Sequence, residues 1–283
     1  MKILITGVNG QVGHALMREL AEHELIGLTR KDCDLTNSDQ IKQVIDQHQP
    51  DLIINPAAYT KVDQAEDEPE LAFKINRDAP RVMAEKAREY HIPLIHFSTD
   101  YVFDGKKELP YLEDDSTNPL GVYGKSKLFG EKVIQEVGSH YYIMRTSWVY
   151  SKINHNFHLT MKRLANDNDK IKVVANQVGV PTSNLFIANQ IKKIIPLLNE
   201  SNIGIYNLVP DGYCSWYKFA KAIISRSNPK YNLENIIPID QSEYITKAQR
   251  PMNSVLNNKK IKNTFMIKFK DWKNLYEDFI YES

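Results

Sequence analysis

Short apolar runs alternate with longer amphipathic ones through the first half of the chain. Residues 2–6, 25–29, 51–55, 93–98 and 141–146 are short and dominated by β-branched and other apolar residues. They lack the in-out alternation of a strand with one wet face, so each predicts a strand covered on both faces. Between them, helical periodicity predicts helices over 12–22, 38–48, 70–91 and 126–137. Strand–helix alternation of this kind predicts right-handed crossovers and an α/β fold built on a doubly wound parallel sheet. Beyond about residue 150 the rhythm loosens, and Pro, Asn and Lys become more frequent. Helices are expected there at 157–165, 185–198, 216–225 and 272–280, with strands at 172–175 and 204–208. The change of rhythm predicts two units, 1–150 and a smaller C-terminal lobe over 151–283 that is free to interleave with the first.

Composition narrows the class of partner. Of 283 residues, 42% are hydrophobic and 25% charged, and the net charge is +1. No global field recruits nucleic acid or a membrane surface. The basic run Lys259, Lys260, Lys262, Lys268 and Lys270 is followed at once by Asp271, Glu277 and Asp278, which reads as a solvated face. No stretch approaches the roughly 20 apolar residues of a membrane span. The only cysteines are Cys33 and Cys214, too few for a disulfide framework, and they point to a reducing compartment and a cytoplasmic protein.

The first strand runs directly into Gly7-Val-Asn-Gly10-Gln-Val-Gly13. A G-x-x-G-x-x-G loop between a buried strand and a helix suits a pyrophosphate. Gly7 permits the sharp turn, and Gly10 lets backbone approach the phosphates at the helix N-terminus. Gly13 allows the helix to pack closely on the sheet. Residues 1–150 are therefore expected to form a Rossmann-type NAD(P)-binding domain, leaving 151–283 to hold substrate. The second strand ends in Thr29-Arg30-Lys31. An acid there would bind the ribose 2′-hydroxyl of NADH, whereas a hydroxyl and two cations favour the 2′-phosphate of NADPH. Asp34 is placed to clamp the adenine edge or to cap the next helix, although Asn37 and Ser38 suit the cap better. Ala57, Ala58, Tyr59 and Thr60 follow the third strand, and their small members leave room for a cofactor at the sheet's switch point.

The chemistry-bearing residues come next. The fourth strand ends Ser98-Thr99-Asp100-Tyr101, and Tyr123 and Lys127 stand four apart downstream. On a helix they share one face. An ammonium beside the phenol is expected to pull the tyrosine from about 10 toward neutrality, making Tyr123 a usable general acid. Thr99 is a second hydroxyl for the same carbonyl, and Lys127 also reaches toward the nicotinamide ribose. Trp148 offers an indole face for stacking on a sugar. Arg250 offers a fork for a diphosphate. No acidic cluster suggests a metal.

These motifs resemble those of the extended short-chain dehydrogenase/reductases and, within them, the dTDP-4-dehydrorhamnose reductase family. The resemblance spans nearly the whole chain. It rests on Gly7 to Gly13, on the segments 51–63, 98–103 and 122–127, and most specifically on Arg145-Thr-Ser-Trp-Val-Tyr150, Gln177-Val-Gly-Val-Pro-Thr182 and Arg250-Pro-Met-Asn-Ser254. It implies reduction of a 4-keto sugar of a dTDP-sugar nucleotide with NADPH or NADH, by a monomer or homodimer. Tyr123 would be the proton donor, Thr99 its partner and Lys127 the cofactor-binding lysine. Gly10, Gln11 and Val12 would meet the pyrophosphate, and Asp34 and Leu35 the adenine. Ala58, Tyr59 and Thr60 would line the cofactor channel. Thr99, Asp100 and Trp148 would contact the sugar.

Two rival functions make different demands. A sugar-nucleotide dehydratase of this class needs an Asp-Glu pair, which would fall on Asp100 and Tyr101, and Tyr101 cannot act as the glutamate. An epimerase retains its cofactor, whereas a reductase exchanges it. A non-catalytic regulatory subunit would have lost part of the Thr99, Tyr123 and Lys127 set.

Overall fold

The computed structural model describes residues 1–281; residues 282–283, the end of the expected C-terminal lobe, lie outside the described residues. Five strands open the fold: β1 (Lys2–Thr6), β2 (Glu24–Leu28), β3 (Leu52–Asn55), β4 (Pro93–Thr99) and β5 (His140–Thr146). A sixth, Gly204–Asn207, comes from the C-terminal half and pairs in parallel with β5. From this edge the order is Gly204–Asn207, β5, β4, β3, β1, β2, and every ladder is parallel. The chain reverses its direction of winding between β1 and β3. Their C-terminal ends diverge there and open a crevice.

Both faces of the sheet are buried, as the unbroken apolar runs require. Ile3, Ile5, Leu52 and Ile54 face α1 (Gln11–Glu19) and the helix Asn184–Ile194. The intervening Leu4 and Ile53 face α2 (Ser38–His48) and the helices Ala79–Glu89 and Val122–Val137. Thus a helix from beyond residue 150, like the sixth strand, packs on the sheet. Asn37 caps α2, its side chain accepting from the amides of Asp39 and Gln40. A separate aromatic core of Tyr150, Phe219, Trp272, Tyr276 and Phe279 holds the remaining C-terminal elements together.

The helix expected over 70–91 is interrupted. Pro69–Phe73 passes through a π-turn at Lys74–Asp78 before Ala79–Glu89 begins. Pro80 has no N–H to give the carbonyl of Asn76, four residues earlier, so the regular ladder cannot continue. The following helix begins at Val122, four residues before the expected start, so Tyr123 and Lys127 are both helical.

Candidate active site

The glycine loop takes the form the spacing predicts. Gly7 has φ +60°, and a Cβ there would lie 2.9 Å from that of Ala57, so only glycine lets the two chain segments meet. A Cβ on Gly13 would collide with the Gly7 carbonyl. Gly10 precedes α1 without a side-chain cap, leaving first-turn amides for a ligand's phosphates. The loop is braced from the C-terminal half. Asn154 Nδ2 donates to the Asn9 carbonyl at 2.7 Å, Asn184 Nδ2 to the Gln11 carbonyl at 2.9 Å, and Ser151 Oγ to Gln11 Oε1 at 2.8 Å.

Two adjoining cavities lie at the switch point and share Gly7, Ala57, Ala58 and Thr60 as walls. One, of about 450 Å³, is lined by Thr29, Arg30, Asp34, Leu35 and Tyr59. The other, of about 390 Å³, is lined by Gly10, Gln11, Val12, Gly13, Tyr123 and Lys127. Every residue singled out for the cofactor except Lys31 is therefore on one wall or the other. Ser98 Oγ and Thr146 Oγ1, on residues lining the second cavity, are buried without a hydrogen-bond partner. Such orphaned hydroxyls, with the glycine cradle, suit a polar ligand carrying phosphates and ribose.

One expectation needs correction at the ribose corner. A carboxylate does stand there. Asp32 Oδ2 accepts from the Thr29 amide at 2.8 Å and from Thr29 Oγ1 at 2.6 Å, and these bonds hold its carboxyl below the usual range. Thr29 is therefore committed to Asp32, and Arg30 remains as an exposed cation in the cavity wall. Asp34 is engaged locally, accepting from Thr36 N and Oγ1 at 3.0 and 2.9 Å.

At the deep end, Thr99 Oγ1 donates to Asp100 Oδ1 at 2.9 Å and accepts from the Tyr101 amide at 3.1 Å. Burial raises the Asp100 carboxyl to about 7, despite stabilising contacts from Ser254 and Thr99. The Tyr101 ring meets Tyr123 edge-on, with centroids 5.9 Å apart. The expected pull of Lys127 on Tyr123 is not what the structure shows. Burial pushes Tyr123 up to about 12, partly opposed by Thr99, and pushes Lys127 down to about 7, partly opposed by Glu131. Desolvation dominates because neither group faces enough water to hold a charge cheaply. The outcome still suits a proton donor, since Tyr123 keeps its proton at neutral pH.

Several buried residues at this site were given no role in the sequence reading. Asn76, in the π-turn, accepts from the Tyr59 amide at 2.8 Å and donates to the Tyr59 carbonyl at 3.0 Å and to Ser126 Oγ at 2.9 Å. It thereby clamps the channel wall to the catalytic helix. His96 lies between Asn55 and Lys127, 3.0 Å and 3.2 Å from each. Arg145 grips Glu131 through two bonds of 2.9 and 2.6 Å, tying β5 to the catalytic helix. The Pro80 break was the one local signal for Asn76. His96 and Asn55 carry none, because they meet only across strand register.

The residues expected to hold substrate are more dispersed. Trp148 is half-buried at φ +45°. One indole face is stacked on Trp216, with centroids 3.4 Å apart, and Gly179 packs over the indole plane, where a Cβ would collide with Cε2. It lines neither of the two cavities. Arg250 lines a further cavity of about 640 Å³ with Asp104, Tyr244 and Met252. Its fork is occupied by Asp63, at 2.7 and 3.2 Å. Among the described residues no group of three or more His, Cys, Asp or Glu side chains gathers as a metal site, and no helix is long and apolar enough to cross a membrane.

Comparison with known proteins places this geometry. The family model described as RmlD substrate binding domain matches residues 1–283, and the chain belongs to that family, the dTDP-4-dehydrorhamnose reductases. A dTDP-4-dehydrorhamnose reductase of Sinorhizobium fredii is 41% identical, covering 96% of this chain and 94% of its own. The spore coat polysaccharide biosynthesis protein SpsK of Bacillus subtilis is 37% identical, covering 99% and 97%. A dTDP-4-dehydrorhamnose reductase of Bacillus anthracis, solved in complex with NADP, superposes with a TM-score of 0.93 at 37% identity, covering 100% and 99%.

Proposed function

We infer that the protein is an NAD(P)H-dependent oxidoreductase that reduces the C4 ketone of dTDP-4-dehydro-6-deoxy-L-mannose to dTDP-L-rhamnose. The observation that carries the reading is that Tyr123 and Lys127 share one wall of a glycine-floored cleft, with the buried Thr99 side chain in contact with Tyr123. The cofactor, when bound, supplies the hydride. Tyr123 donates its phenolic proton to the carbonyl oxygen as that oxygen gains charge, and solvent restores the proton. A phenol near 12 gives its proton readily to an alkoxide, which is far more basic, yet is not ionised beforehand. Thr99 and Asp100, whose carboxyl burial raises to about 7, form a polar wall beside that oxygen. Lys127 holds the ribose from the helix face it shares with Tyr123.

In this reading the C-terminal lobe over 151–283 supplies the sugar-nucleotide side. Arg250 reaches the diphosphate by exchanging Asp63 for it, and Trp148 meets the sugar with the part of its indole that Trp216 and Gly179 leave uncovered. Tyr101, half-buried beside Asp100, offers no carboxylate for dehydration. The protein is read as a cytoplasmic monomer or homodimer without nucleic-acid or membrane partners, supported by its net charge of +1 and two buried free cysteines. The product would serve polysaccharide synthesis, the role printed in the name of the Bacillus subtilis relative. The test is oxidation of NADPH or NADH with the 4-keto sugar nucleotide as acceptor. Stoichiometric conversion to dTDP-L-rhamnose is expected; no oxidation with either cofactor would overturn the assignment.

A further inference from the structure

The buried side chain beneath Lys127 is not a hydrocarbon. His96 is completely excluded from solvent, and it sits on β4 in register with Asn55 of β3 on one side and Ile143 of β5 on the other. Its Nε2 lies 3.2 Å from Lys127 Nζ. Its Nδ1 lies 3.0 Å from Asn55 Nδ2, and Asn55 Oδ1 accepts from Thr6 Oγ1 at 2.6 Å. A row of polar groups thus runs beneath the cleft from the end of β1 to the catalytic helix. Gly130 lets that helix come close to the π-turn beside it, since a Cβ there would collide with the Asn76 carbonyl oxygen. The charged group facing Lys127 from its own helix is Glu131, which Arg145 of β5 holds. Lys127 is the charged group facing His96.

This row closes in two ways, each with a neutral imidazole. With the amide as described, Asn55 Nδ2 donates to Nδ1, so the ring proton sits on Nε2 and points at an uncharged Lys127 amine. With the Asn55 amide turned over, Oδ1 accepts from Nδ1–H and Nδ2 donates to Thr6 Oγ1. Nε2 is then bare and accepts from a Lys127 ammonium. We propose that His96 is a positioning residue for Lys127, its Nε2 fixing Nζ under the cleft and its tautomer exchanging with the charge Lys127 carries. This rests on Lys127 acting as the cofactor-side lysine. A lysine buried in such a place carries its proton at low pH and gives it up as pH rises. An amide turn and a tautomer exchange meet both states without moving the ammonium, the Thr6 hydroxyl turning its proton from Asn55 toward the cavity it lines.

Two measurements test it. In the cofactor-free protein, ¹⁵N-histidine spectra from pH 6 to 9, with His96 assigned from the His96→Gln variant, should show the Nδ1–H tautomer at low pH and Nε2–H at high pH. A single tautomer throughout would overturn the proposal, and this readout needs no turnover, so it stands apart from whether the reductase reading holds. In kinetics, His96→Leu removes the acceptor for the ammonium. The alkaline limb of kcat/KM for NADPH should move about one unit toward lower pH, and His96→Gln, which keeps a carbonyl acceptor, should recover part of it. Profiles that superimpose, whatever the absolute rate, would overturn the proposal. If His96→Leu does not fold, the wild-type spectra decide alone.

Discussion

The pH dependence of cofactor use follows from Lys127. Its ammonium is buried, and burial disfavours charge, bringing it down from its usual value to about 7. The direction is fixed by sign: the charged form exists below that value and is lost as pH rises through it. With one required proton, kcat/KM for NADPH should fall about tenfold per pH unit on the alkaline side, leaving on the order of 1% of its plateau at pH 9. The limb belongs in kcat/KM, which reports the free enzyme. In kcat it should appear at higher pH, since bound phosphates favour the ammonium. Asp100 also lies near 7, and it gains negative charge over the same range, so the two must be separated. Lys127→Arg carries a charge that does not titrate and should abolish the limb while lowering the plateau. Asp100→Asn should leave it in place. The assay is steady-state NADPH oxidation from pH 6 to 9.5 at saturating sugar nucleotide. A flat wild-type profile, or a limb that survives Lys127→Arg and disappears in Asp100→Asn, would refute the argument.

Tyr123→Phe should cost at least about 100-fold in kcat, the ordinary worth of a general acid, while NADPH binding measured by fluorescence titration barely changes. Near-full turnover would remove Tyr123 from the chemistry. Trp148→Ala loses a stacked partner, Trp216, at 3.4 Å, so urea unfolding should show a loss of about 2 kcal/mol. The KM for sugar nucleotide should rise more than kcat falls, and an unchanged KM with that lower stability would confine Trp148 to packing. Arg30→Ala should erode a preference for NADPH over NADH of about tenfold, worth about 1.4 kcal/mol, because Arg30 is an exposed cation in the wall of the ribose corner and Asp32 offsets part of its attraction. Equal kcat/KM for the two cofactors in the unmutated protein would sink that reading.

What was legible in the sequence was whatever local pattern determines. The strands of the parallel sheet announce themselves because burial on both faces leaves no polar position in phase. The glycine loop is legible because Gly7 has positive φ and touches Ala57, which few other residues tolerate. The expected helices at 38–48 and 216–225 reappear with their caps, Asn37 and Ser215. Pairings of two residues, such as Val149–Tyr150 with Thr182–Ser183, are too short to have a period.

The site divides along the same line. Thr99, Tyr123 and Lys127 are legible as a spaced set, but their protonation is not, because that depends on how much water the fold removes. Proximity alone predicted a lowered tyrosine; burial produced a raised one and a lysine that loses its charge near neutrality. Asn76 shows the other limit. Its neighbours Tyr59 and Ser126 are 17 and 50 residues away, and the turn that aims it exists because Pro80 withholds one hydrogen bond. A proline that breaks a helix thus places the amide that holds the cofactor channel to the catalytic helix. Restoring the regular ladder there would move Asn76 off Tyr59 even with every cleft-lining side chain kept.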